Sequence, residues 1–195
     1  MTSSPRALAA LLLGGALLVS TAACGSSGSG GPLAPADGPD GWTSHDVSGV
    51  RVATPQAWEV VDGTGAPEGL EYFEVRGGPD PSAADAPVLH VTVVGEPERT
   101  LAEEVDGIRV TIRAAFGVNE FTKETVSWPG ASQAAFLACV SEQPGVESGM
   151  VTVRSEWLFT DLEDGRRLIA VVSSPEAAFD EAELHAILTT VELPT

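Results

Sequence analysis

From Trp42 onward the chain is a succession of short apolar runs cut by turn residues, with two longer stretches of helical period. His45 to Val52 predicts a hairpin turning at Ser48-Gly49 and stopped by Pro55. Short runs at Trp58 to Val61 and Tyr72 to Arg76, separated by a Gly-rich turn, predict two more strands. Val88 to Val94 is β-branched and follows a Pro/Ala/Asp loop at Gly77 to Pro87. Leu101, Val105, Ile108, Ile112 and Phe116 then recur at helical spacing. Thr100 and Glu103 form a capping box at the start of that helix, and Gly117 stands where a left-handed end cap belongs. Gly107 inside it costs about 1 kcal/mol relative to Ala, which the apolar stripe must outweigh.

Four strand signals follow: Thr122 to Trp128, Ser132 to Val140, Val151 to Thr160 and Arg166 to Ser173, with turns at Pro129-Gly130 and Asp164-Gly165. In the third, Val151, Val153, Trp157 and Phe159 share one face, and Thr152, Arg154 and Glu156 share the polar one. The last is apolar at consecutive positions from Leu168 to Val172, which predicts cover on both faces. A closing helix is predicted from a second capping box, Asp180 with Glu183, a staple of Phe179 on Leu184, and a stripe of Leu184, Ile187, Leu188 and Val191. Two helices and about seven largely antiparallel strands make an α+β sandwich of one domain, residues 42–195, with no internal repeat.

The residues before that domain read differently. Arg6 is followed by an apolar or small stretch from Ala7 to Val19 and by Ser20-Thr21-Ala22-Ala23, which predicts a signal peptide over residues 1–23. The stretch is short for a bilayer span, which needs about 20 apolar residues. Thr21-Ala22-Ala23-Cys24-Gly25 resembles the lipobox of bacterial prolipoproteins, with Thr21 where that motif usually carries Leu or another aliphatic. The lipobox implies that Cys24 becomes the first mature residue and carries a diacylglyceryl group. Two or more acyl chains make such an anchor effectively permanent. Residues 24–41 are then a lipidated cysteine and a Gly/Ser/Pro/Ala/Asp tether. Lipidation of Cys24 leaves Cys139 without a disulfide partner, and its apolar neighbours predict a buried, inert thiol.

A formal charge of −18 excludes nucleic acid as a partner, because phosphates are bound by Lys and Arg. It also excludes a polybasic membrane patch. His45, His90 and His185 fall on three different elements at no zinc-site spacing, so no metal or other cofactor is expected. Asp161, Glu163 and Asp164 bunch together, but an exposed hairpin turn explains them better than a cation site. The Gly-Ser repeats from Gly25 to Gly30 lie in the tether and carry no nucleophile elbow, so no catalytic residue is assigned. Trp58 and Trp157 are expected in the core. Trp42, at the domain edge, and Trp128, beside a turn, are the candidates for contact with a partner.

The order of elements adds a resemblance. A hairpin with Gly49 and Pro55-x-x-Trp58, further strands, the helix opened by Thr100, Leu101 and Glu103, a long hairpin around Asp164-Gly165 and a terminal helix together resemble the PsbP-like α/β/α sandwich. More narrowly, the chain resembles the LpqN-type lipoproteins of actinobacteria. That resemblance implies a non-catalytic binding or accessory role in the cell envelope, with a protein, lipid or glycolipid partner and no catalytic residues to carry over. Two alternatives stay open: a hydrolase acting on envelope material, and a carrier of lipid or of a small apolar ligand. A concave pocket gathering His or Ser with acids would favour the hydrolase.

Overall fold

The computed structural model describes residues 33–61, 70–145 and 149–194. The expected signal peptide, Cys24, the Gly-rich turn at 62–69 and residues 146–148 lie outside them. The chain opens with strands β1 (Thr43–Val47) and β2 (Val50–Thr54), which pair antiparallel as a separate two-stranded sheet. Their turn, Ser48-Gly49, has φ of 57° and 83°, the pair of left-handed residues that matches the twist of a two-residue hairpin. A seven-stranded sheet holds everything else. It comprises β3 (Glu59–Val61), β4 (Leu70–Arg76), β5 (Val88–Val94), β6 (Thr122–Thr125), β7 (Ala131–Pro144), β8 (Met150–Leu162) and β9 (Arg167–Pro175), in the order β3-β4-β5-β9-β8-β7-β6. Every pairing is antiparallel.

One face of the sheet carries helix α1 (Leu101–Phe116), opened by the Thr100–Glu103 capping box and ended by Gly117 at φ 68°. Leu101 and Val105 bury against Ala135, Leu137 and Phe159. The stripe then fades: Ile108 is half-buried and Phe116 is exposed, while Arg109 and Arg113 lie over the Phe121 ring at 5.5 and 5.9 Å. The opposite face carries the larger core. Val75, Leu89, Val91, Leu158, Leu168, Ala170 and Val172 meet Val50 and Val52 of the hairpin and the C-terminal helices. Those helices are α2 (Glu176–Phe179) and α3 (Leu184–Thr189).

The predicted single terminal helix is therefore broken. Asp180 ends α2 with its carboxylate toward Arg154 (3.6 Å), and Glu183 sits left-handed at φ 54° with no side-chain capping bond. The capping box does not form. Phe179 and Leu184 both reach the core, and burying both forces the chain to turn between them. Leu184, Ile187 and Leu188 are buried as expected, while Val191 is buried beyond the helix end.

Packing also moves the start of the domain. Leu33, only 2% exposed, sits in the larger core, and the Ala36 N–H donates to the Thr189 carbonyl at 2.8 Å. The packed unit begins by Leu33 rather than Trp42, because one leucine in a Gly/Pro-rich stretch finds an apolar seat. Trp58 lies against the same core, and a Cβ on Gly77 would fall 2.2 Å from its ring. Gly77→Ala must displace that indole and is expected to cost about 1–3 kcal/mol in urea unfolding, with a change in tryptophan emission. An unchanged midpoint would show that Trp58 has room to move.

Candidate functional site

The sheet's rows lead to the site. Across the larger-core face, register aligns Val75, Leu89, Val172, Glu156 and Ala138. The first three are fully buried aliphatics, and the fourth is a carboxylate only 1% exposed. Glu156 was expected on the polar face of its strand. That same face continues into Leu158 and Leu162, which are core, so the strand dives under α3 and takes Glu156 with it.

Burial of a carboxylate requires partners, and Glu156 has two. Its Oε1 accepts from the Arg154 guanidinium, with Nε at 3.1 Å. Its Oε2 accepts from His185 Nδ1 at 2.7 Å. A carboxylate only accepts, so the imidazole proton is on Nδ1. Arg154 is in turn stacked 4.3 Å over the buried Phe179 ring, while the His185 ring meets Phe136 edge-on at 6.2 Å. The cluster thus fixes a cation and an imidazole at the point where the apolar row ends.

Beyond it opens a groove of about 940 Å³ at the β6–β7 edge. The chain between α1 and β6, Val118 to Phe121, forms one wall. Phe136, Ala138 and Val140 of β7 form the floor, and Arg154, Glu156, Glu176 and His185 form the far wall. The pocket gathers a histidine with acids. It does not supply a nucleophile: among the described residues no Ser, Thr or Cys side chain hydrogen-bonds His185. Cys139 lines the groove, but it pairs with Ser155, and neighbouring strand residues point to opposite faces, so it lies across the sheet from Glu156. Burial pushes its thiol up to about 11, which keeps it protonated and inert at neutral pH.

A second polar cluster occupies the α1 face of β4 and β5. Tyr72 donates to Glu74 Oε2 at 2.6 Å, Arg76 donates to Oε1, and His90 Nε2 lies 3.6 Å from Oε2. Burial opposes the charge of Glu74, but these hydrogen bonds and the nearby positive charges hold its carboxyl below the usual range. Burial, then the Glu74 hydrogen bond and charge, push the Tyr72 phenol up. Burial lowers the His90 imidazole. These groups satisfy one another.

The remaining candidates resolve simply. His45 bonds Thr54 Oγ1 at 2.8 Å, so the three histidines stay apart. Asp161 pairs with Arg167 at 2.7 Å and Asp164 with Arg166 at 2.8 Å, as in an ordinary hairpin turn. Among the described residues no group of three or more His, Cys, Asp or Glu is placed to hold a metal, and no helix is long and apolar enough to cross a membrane. Trp128 is only 4% exposed, with Nε1 donating to the Val191 carbonyl at 2.9 Å. It is core, and it drops out as a partner contact because the chain end folds over it. Trp42 is half-buried against the larger core, and Trp157 is half-buried beside α1.

The solution structure of cyanobacterial PsbP (CyanoP) from Synechocystis sp. PCC 6803 is similar to this chain, with a TM-score of 0.51 and 17% identity over 85% of this chain and 98% of that one. The fold is PsbP-like. No family model and no curated protein sequence matches. At that identity the likeness carries the PsbP-like architecture alone, and the groove rests on its own residues.

Proposed function

We propose that the chain is an exported lipoprotein of the LpqN type, held by lipid on Cys24 at the outer face of a bacterial membrane. There its PsbP-like domain binds an envelope partner without chemistry. The lipobox-like run Thr21-Ala22-Ala23-Cys24 supports the anchor. The observation that carries the binding reading is the groove itself: an open site at a sheet edge with a fixed Arg154–Glu156–His185 cluster and, among the described residues, no hydroxyl or thiolate held by the imidazole. A hydrolase with a side-chain nucleophile needs its base within hydrogen-bond reach of that group; the Glu156 bond leaves His185 Nε2 free, but among the described residues no Ser, Thr or Cys side chain bonds the ring. An acyl-chain carrier needs an enclosed apolar cavity, whereas this groove is open and lined by charge.

Two experiments test the parts separately. Cys24→Ser is expected to release the protein from membranes or to leave uncleaved precursor, read by fractionation; a variant that stays anchored and processed overturns the lipid assignment. A photo-crosslinking residue at Val140, in the groove, is expected to capture a discrete envelope component in native membranes. The same residue at the exposed Val60 of β3 is the control. Equal capture from both positions overturns the groove reading.

A further inference from the structure

Resting on that reading, we infer that the groove's occupant is an extended, basic polypeptide segment that adds to the sheet along the free edge of β7. Strand β6 ends at Thr122, opposite Ala138, but β7 runs on to Pro144. Among the described residues, Cys139 to Pro144 pairs only with β8. The direction of the unused backbone groups follows from the register. Val126 N–H donates to the Ala134 carbonyl at 3.1 Å, so even-numbered residues of β7 turn their N–H and C=O toward the β6 side. Two-residue periodicity carries this to Val140 and Glu142, which present two donors and two acceptors in line. The next even position is Pro144, which has no N–H, so the ladder stops there. A short edge of this kind is a template for strand addition, with backbone bonds giving affinity and neighbouring pockets giving selection.

Charge selects the occupant. Glu120, Glu124, Glu156 and Glu176 line the groove against one guanidinium, Arg154, which Glu156 and Asp180 already engage. Glu142 adds a carboxylate on the edge itself, and Val140, 44% exposed, offers an apolar rest between them. A strand with alternating basic side chains meets this lining, and a formal charge of −18 steers it there. A second copy of the chain brings the same acids to the same edge and is repelled.

The test uses the full-length protein purified from membranes in detergent. Its probes are seven-residue peptides that alternate Lys or Arg with Val or Thr, the same peptides with Glu at the basic positions, and the basic set with ester bonds replacing backbone amides. Anisotropy is expected to show binding of the basic set, with at least about a tenfold loss on either change, and about tenfold for Glu142→Lys with Glu176→Lys at these exposed sites. Hydrogen exchange at the Val140 and Glu142 amides is expected to slow when peptide is bound. Equal binding of acidic peptides, or no effect of the esters with unprotected amides, overturns the inference. If no basic peptide binds while Val140 still crosslinks an envelope component, strand addition falls and the groove reading stands. If Val140 captures nothing either, both fall.

Discussion

Phe179→Ala is expected to lower folding stability by about 3–5 kcal/mol, the range for emptying a buried aromatic site. Phe179 is among the largest fully buried side chains, and it performs two jobs at once. Its ring fills the space under the break between α2 and α3, and its face carries the Arg154 guanidinium at 4.3 Å. The alanine variant loses both the packing and the platform. Urea unfolding reads the first. Hydrogen exchange reads the second, with protection expected to fall over residues 176–189 more than over β5. A loss below about 1 kcal/mol would mean that the helices close over the vacancy and that the break does not depend on this ring.

Glu156→Ala is expected to cost about 2–4 kcal/mol, below the full range for splitting a buried ion pair because its partners keep access to water. Removing the carboxylate leaves Arg154 and His185 facing each other across a gap, with side chains 27% and 36% exposed. Glu156→Gln separates charge from shape: it keeps the volume and one acceptor, so about half the loss is expected to return. Urea midpoints at fixed ionic strength decide between them. If the glutamine variant is as stable as the parent, the cluster is held by packing and hydrogen bonds alone.

Local rules made most of the architecture legible. Ser48-Gly49 carries its turn in its residue types, and Thr100 with Glu103 carries a helix start. The β-branched run Val88–Val94 sets a strand that the structure matches end to end. The site was harder to read because it is made by tertiary packing. Glu156 looks like surface when the strand is taken as a polar face, and the clue was the change from Arg154 and Glu156 to Leu158 and Leu162 on that face. His185 joins Glu156 only because α3 crosses β8, which no spacing along the chain announces. Trp128 reads as exposed beside a Pro-Gly turn, yet the C-terminal residues bury it. Asp180 and Glu183 have the spacing of a capping box, but the paired burial of Phe179 and Leu184 overrides it.

Under the proposed Cys24 anchor, eight residues, 25–32, stand in the sequence between the lipid and Leu33. Leu33 in the larger core and the bond from Ala36 to Thr189 tie this side of the domain to the end of α3. His185 stands one helical turn back along the same six-residue helix. The N-terminal seam and the imidazole of the groove wall therefore share one short helix.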